Sequence, residues 1–170
     1  MADSAANTRH AEILIIGSGP AGWTAGIYGA RAMRDVLVVT GIQPGGQLTI
    51  TTDVENYPGF TEIQGPELMV KMQEHAEAMG AKVADDHIAS VDFDVRPFRA
   101  VGESGTVYTA DSVIISTGAQ AKWLDLPTEE KFKGFGVSAC ATCDGFFYRG
   151  REVLVVGGGN TAVEEALFLT

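Results

Sequence analysis

Cysteine, histidine and positive charge are all scarce in this chain. Among 170 residues there are 2 cysteines and 3 histidines. A disulfide-stapled secreted scaffold needs more cysteines, more widely spaced. A zinc site built on Cys140 and Cys143 would need further ligands, with only His10, His75 and His87 to supply them, and these read as tail, helix-surface and strand residues. No metal site is therefore expected. Basic side chains number 12 against 22 acidic ones, a formal charge of −10, which offers no footprint for nucleic acid or an anionic membrane surface. Long apolar runs are missing too: Ile13 to Ile16 and Val153 to Val156 fall far below the roughly 20 residues of a spanning helix. Met1 to Ala11 is polar, without the apolar stretch or cleavage site of an export signal, so a cytoplasmic location is expected.

Glycine, by contrast, is in excess. It makes up 21 of 170 residues, about 12% against a usual 7%, and the excess is clustered. Glu12 to Ile16 is an apolar run suited to a strand buried on both faces, and Gly17-Ser18-Gly19-Pro20-Ala21-Gly22 follows it directly. Trp23 to Met33 then reads as a helix and Val36 to Val39 as a second strand, which completes a βαβ unit. In this fingerprint Gly17 permits the tight turn, Gly19 lets a pyrophosphate approach the backbone, and Gly22 allows close helix packing. One element is absent. Where an acidic residue would grip the ribose hydroxyls at the end of the second strand, the chain has Thr40, so ribose recognition falls to a hydroxyl or to loop backbone.

Further along, Thr40 to Gly65 is an irregular stretch of functional length, and Pro66 to Met79 predicts an amphipathic helix stopped by Gly80. From Ala81 to Thr117 the apolar period becomes two. Short strands near 82–84, 87–93, 97–101, 106–109 and 112–116 predict an antiparallel meander that returns to the main sheet. Ala119 to Lys133 reads as a crossing segment. Glu152 to Val156 predicts a second buried strand, and Gly157, Gly159 and Ala162 repeat the fingerprint ahead of a helix from Asn160. Glu164 and Glu165 suit dipole partners in its first turn as well as ligand contacts, with the dipole role favoured for Glu165. Two dinucleotide fingerprints argue for a flavin dinucleotide and a nicotinamide donor, with hydride passing between them.

Between the two clusters lies Cys140-Ala141-Thr142-Cys143-Asp144. The two-residue spacer puts both sulfurs within disulfide range, and a helix starting here would lower a thiol pKa. Asp144 adjoins Cys143 and is placed to donate or accept the protons that dithiol chemistry requires.

The ordered motifs GSGPAG, GGQL, VENYPGF, STGA, CATCDG and GGGNTA resemble the low-molecular-weight bacterial type of thioredoxin reductase, of the FAD/NADPH pyridine nucleotide-disulfide oxidoreductases. The resemblance implies an α/β fold of two Rossmann-like domains. Residues 1–118 would bind FAD and include the meander, and 119–170 would begin an NADPH-binding domain that is only partly present. Electrons would pass from NADPH through FAD and the Cys140/Cys143 disulfide to thioredoxin.

By the same resemblance Gly17, Ser18, Gly19, Pro20, Ala21 and Gly22 contact the FAD pyrophosphate, while Thr40, Gly41, Gly46, Gln47, Leu48 and Asn56 line the flavin side. Ile88 meets adenine, Thr117 and Gly118 close over the cofactor, and Gly157, Gly159, Asn160 and Thr161 meet the nicotinamide dinucleotide. Cys140 would attack the thioredoxin disulfide, Cys143 would face the flavin, and Asp144 would protonate a leaving thiolate. Members rotate one domain against the other, and Ala119 to Leu126 is the expected first hinge strand. A basic motif that selects NADP and a final segment that completes the FAD domain and a homodimer are not present before Thr170. The expectation is an amino-terminal part of a chain about twice as long, inactive by itself. A flavin-dependent dithiol oxidase and an inactive nucleotide-binding fragment are the alternatives.

Overall fold

The first strand, β1 (Thr8–Ile16), begins before its apolar run does. In the computed structural model, which describes residues 7–170, the polar segment Thr8 to Ala11 pairs with Val107 to Ala110; the tail expected up to Ala11 is therefore partly strand, and residues 1–6 lie outside the description. Helix α1 (Pro20–Arg31) follows, with Pro20 at its first position, where the missing N–H costs nothing. Strand β2 (Val36–Val39) closes the unit, parallel to β1 with Ile16 opposite Val39.

The stretch from Thr40 to Gly65 is less irregular than its sequence suggests. It carries a 3-10 turn at Gly46–Ile50 and a two-strand ribbon of β3 (Asp53–Val54) and β4 (Ile63–Gln64). Helix α2 (Gly65–Ala78) then runs to Gly80, whose left-handed φ of +105° lets the amides of Gly80 and Ala81 reach back to the carbonyls of Glu77 and Ala76. The same paired closure ends α1, but there the left-handed residue is Met33, at φ +58°.

Strand β5 (Lys82–Ala84) belongs to the parallel sheet beside β2, and not to the meander its sequence period suggested. The meander is β6 (Ile88–Asp92), β7 (Phe98–Gly102) and β8 (Val107–Ile115), and β8 is one strand where the sequence pattern predicted two. It runs parallel to the full length of β1, which gives the sheet order β5-β2-β1-β8-β7-β6. Alternate residues of the apolar runs then face opposite sides. Ile15, Val36 and Val38 pack with Trp23 and Ile27 of α1 and Leu68, Met69, Met72 and Ala76 of α2. Leu14, Ile16, Leu37 and Val39 pack instead with Ala84, Ala100, Tyr108 and Ala110. Burial on both faces explains why these strands are continuous apolar runs.

A carboxylate pins the passage from β5 into β6. Asp86 accepts hydrogen bonds from the Ser104 and Tyr108 hydroxyls and from the amides of His87 and Ser104. Gly102 makes room for it: a Cβ there would lie 2.0 Å from Asp86 Oδ2.

The chain divides at Ala119/Gln120 into two units. The second contains three α-helical segments, α3 (Glu129–Phe132), α4 (Ala141–Asp144) and α5 (Asn160–Phe168), and a 3-10 turn at Gly145–Tyr148. Glu129 accepts the amides of Leu124 and Leu126, which orders the end of the crossing segment. The strand expected at Glu152 to Val156 does not form, and Val153 to Val156 are exposed. A parallel strand is held by ladder partners, and none of the described residues pairs with this run.

Partial burial opposes ionisation of Asp86, yet hydrogen bonds from Ser104, Tyr108 and the two amides hold its carboxyl at about 2, below the usual 3.8. A depressed folded-state value stabilises the fold above the unfolded value and loses that contribution as pH falls. Asp86→Asn is therefore expected to lower stability by about 1 kcal/mol at neutral pH, a figure discounted for solvent screening. In urea titrations the gap between wild type and variant should close as pH falls from about 4 to about 2; a gap that does not depend on pH would contradict the assignment.

Candidate functional site

The turn between β1 and α1 is built from backbone contacts that exclude side chains. Gly17 sits at φ +106°, and a Cβ on it would lie 2.4 Å from the Ser116 carbonyl oxygen. A Cβ on Gly22 would lie 1.9 Å from the carbonyl oxygen of Gly17. Ser116, at the end of β8, donates its hydroxyl to the carbonyls of Ile16 and Gly17, and Thr117 and Gly118 follow directly. Thr117 is thereby drawn against the turn, its Cα 3.1 Å from the missing Gly17 Cβ.

Gly19 is the opposite case. The nearest atom to a Cβ placed there is the Gly45 oxygen, at 4.0 Å. Gly19 caps α1 without any side-chain hydrogen bond, and no acidic residue occupies the first turn. The amides of the first turn thus point toward space that a backbone-hugging anion can enter, and the helix dipole favours negative charge there. The residues present fit a dinucleotide pyrophosphate.

Ser18 ties this loop to two others. Its hydroxyl, fully buried, donates to the Thr40 carbonyl at 2.8 Å and accepts from the Gly45 amide at 3.0 Å. Its side chain serves the architecture. Gly46 comes against Gly19, with 3.4 Å between the missing Cβ of one and the Cα of the other. Gln47 and Leu48 continue from Gly46 into the 3-10 turn, and Leu48 packs on the helix-side core. Gly41 donates its amide to the Asp86 carbonyl, beside the start of β6 at Ile88. The expected residues of the first cluster, together with Thr40, Gly41, Gly46 and Thr117, therefore converge on one edge of the sheet. Asn56 does not join them by any hydrogen bond; it is exposed on the loop between β3 and β4.

In the second unit Gly157 has φ +138°, and a Cβ on it would come within 3.0 Å of the Ala162 Cβ, the close approach expected of a fingerprint's third position. Gly159 caps α5, Asn160 and Thr161 begin it, and space around Gly158 and Gly159 is open. The second loop can therefore also admit a phosphate. Glu164 and Glu165 fall beyond the first turn, which contains no acidic residue, so the expected dipole role does not hold.

Cys140 and Cys143 are joined in a disulfide, with 5.3 Å between their Cα atoms. The single turn α4 starts immediately after Cys140, whose amide donates to the Ser138 hydroxyl oxygen at 3.0 Å. Thr142 Oγ1 stands 3.4 Å from Cys140 Sγ. A disulfide sulfur carries no proton, so the hydroxyl is the donor. Asp144 ends the same turn, next to Cys143, and its amide closes on the Cys140 carbonyl. Among the described residues no three His, Cys, Asp or Glu side chains are grouped to hold a metal ion.

Sequence reading missed Ser116, Gly45 and Thr142 as parts of these sites. Each lies within a quoted motif, STGA, GGQL or CATCDG, without a role assigned to it there, and only folded geometry shows which hydroxyl or amide is enlisted.

Two glycine fingerprints, one on either side in sequence of a disulfide-bonded Cys-x-x-Cys, are the features of a pyridine nucleotide-dependent disulfide oxidoreductase class. Residues 11–170 match the family described as pyridine nucleotide-disulphide oxidoreductase, and the chain belongs to it. Members of this family work with FAD and NADPH. A thioredoxin reductase of Vibrio cholerae is 61% identical over 165 residues, 96% of this chain and 52% of its own length. A glucosaminate ammonia-lyase of Pseudomonas fluorescens is 57% identical, covering 95% of this chain and 50% of its own length. Among solved structures, a thioredoxin reductase from Giardia duodenalis superposes with a TM-score of 0.88 at 48% identity, over 95% of this chain and 52% of that one. The chain spans about half the length of the curated relatives it matches.

The contact geometry separates two glycines that a motif treats alike. Gly22→Ala is expected to destabilise the first unit by about 3 kcal/mol, because backbone must move. Gly19→Ala should change stability by less than about 1 kcal/mol while weakening flavin binding at least tenfold. Urea unfolding of the apoprotein and flavin fluorescence titration read the two effects separately; equal behaviour of the variants would refute the geometry.

Proposed function

We propose that this chain carries the flavin-binding and dithiol parts of an NADPH-dependent thioredoxin-disulfide reductase. The carrying observation is the Cys140–Cys143 disulfide at the start of a helical turn, placed in sequence between two loops that each fit a dinucleotide pyrophosphate. The first unit is assigned to FAD, through Gly17 to Gly22, Thr40, Gly41, Gly46 to Leu48, Asn56, Ile88, Thr117 and Gly118. The second is assigned to NADPH, through Gly157, Gly159, Asn160 and Thr161. When bound, these groups supply the electron pair that opens the disulfide.

The chain's own residues then act on the protein substrate. Cys140 Sγ, as thiolate, attacks one sulfur of the thioredoxin disulfide, forming a mixed disulfide and expelling a thiolate that Asp144 protonates. Cys143 Sγ, losing its proton, next attacks Cys140 Sγ and breaks the mixed disulfide, and the expelled second thioredoxin thiolate takes up that proton. Thioredoxin gains two electrons and two protons, and the Cys140–Cys143 bond is restored, which is the state seen here. Thr142, as donor toward Cys140 Sγ, is placed to stabilise the thiolate. The segment from Ala119 to Leu126 serves as the first of the hinge strands that bring the dithiol in turn to flavin and to substrate. A homodimer in the cytoplasm completes the reading; no described helix is long and apolar enough to cross a membrane.

A dithiol oxidase would need no nicotinamide site, and the open loop at Gly158 and Gly159 favours the reductase over it. In the full chain, Cys143→Ser is expected to keep flavin bleaching by NADPH while thioredoxin reduction falls at least a thousandfold. Full thioredoxin turnover by this variant would defeat the dithiol route, and ammonia release from glucosaminate without thioredoxin reduction by wild type would redirect the assignment to the lyase.

A further inference from the structure

Dinucleotide-binding folds grip the adenosine ribose with a carboxylate at the end of the second strand. Thr40 occupies that place here. A carboxylate is nevertheless at hand, delivered by the neighbouring strand. β5 pairs in parallel with β2, with Ala84 opposite Val39, so the next residue of each strand, Asp85 and Thr40, emerges at the same edge of the sheet. The buried Thr40 donates its hydroxyl to Asp85 Oδ1 at 3.1 Å. Thr40 is held in turn, since its carbonyl accepts the Ser18 hydroxyl and its amide donates to the Ala84 carbonyl. Asp85 is thus tied through Thr40 and Ser18 to the phosphate loop itself.

The two adjacent acids differ in what they have left to offer. Asp86 is fully engaged by Ser104, Tyr108 and two amides. Asp85 is exposed, and its Oδ2 takes no hydrogen bond from any described residue. An oriented carboxylate with one free oxygen, at the C-terminal edge of β5 and next to the end of β2, suits a vicinal diol, whose hydroxyls donate to it. It also repels a phosphate at the same position, as on NADPH.

We propose that Asp85, carried by β5 and oriented by Thr40, is the specificity-determining carboxylate for the adenosine ribose of the FAD in the first cradle. It replaces in space the acid that the second strand lacks. The proposal rests on the FAD assignment of that cradle, and its test keeps the two apart.

The full chain is stripped of flavin, and rebinding is followed by quenching of flavin fluorescence. Asp85→Asn is expected to weaken FAD binding about tenfold, and Thr40→Val, which releases the carboxylate from its clamp, about threefold. The decisive probe is an FAD analogue whose adenosine ribose lacks both hydroxyls: wild type and Asp85→Asn should bind it within about twofold of each other. Unchanged FAD affinity in Asp85→Asn, or the same loss with the analogue as with FAD, overturns the proposal and leaves the FAD assignment standing. Circular dichroism of the apoproteins identifies a variant that fails to fold. In that event wild type alone decides, because equal affinity for FAD and the analogue also overturns the proposal. A wild-type chain that binds no flavin at all removes the FAD assignment itself.

Discussion

Two backbone segments meet at Gly17 with no room for a single methyl group, and the geometry of the first unit follows from that contact. Gly22 presses α1 onto the carbonyl of Gly17, while Ser116 at the end of β8 presses from the other side and fixes the turn with its hydroxyl. The contact can form only where β1 and β8 run in parallel register to their last residues, Ile16 opposite Ile115. That register in turn depends on the two apolar faces of β1 being buried, one under α1 and α2 and the other under the meander. Sheet, helix and loop are therefore one mutually dependent construction, whose product is an uncapped helix N-terminus over the open face of Gly19.

The dithiol site uses a different economy. Its reactive bond is contained within one helical turn, with Ser138 and Thr142 hydroxyls hydrogen-bonded to the amide and the sulfur of Cys140. Nothing in that local arrangement requires a large core. In the proposed reaction, thiolate attack needs a stabilised sulfur, a proton source and a partner sulfur within reach, roles assigned to Cys140, Asp144 and Cys143 within residues 138–144.

How much of this was legible in the sequence follows from what each element depends on. Val36 to Val39 and the apolar half of β1 were readable because strands buried on both faces must be continuous apolar runs. Thr8 to Ala11 was not readable as strand: its pairing with Val107 to Ala110 is made by backbone groups, which leave no hydropathy signature. The sequence of β5 reads as part of the meander for a similar reason, since three residues carry too little period to distinguish parallel from antiparallel partners. The failure at Glu152 to Val156 ran the other way. Its apolar run predicts a strand by composition, but a parallel strand exists only beside partners, and the described residues provide none. At the candidate site the glycines were legible because steric exclusion acts through residue identity. The partners of Ser18, Thr40 and Asp85 were not, because they are separated by 22 and 45 positions and meet only through the sheet.

If the chain joins a flavin site, a nicotinamide site and the Cys140–Cys143 pair in one electron path, the full protein must store two electron pairs, one on flavin and one on the dithiol. Anaerobic titration with NADPH, followed by flavin absorbance and by free thiols, measures that capacity directly. The account predicts uptake of about two equivalents of NADPH per flavin, with both thiols appearing. Complete flavin bleaching at about one equivalent, with the disulfide intact, would contradict it.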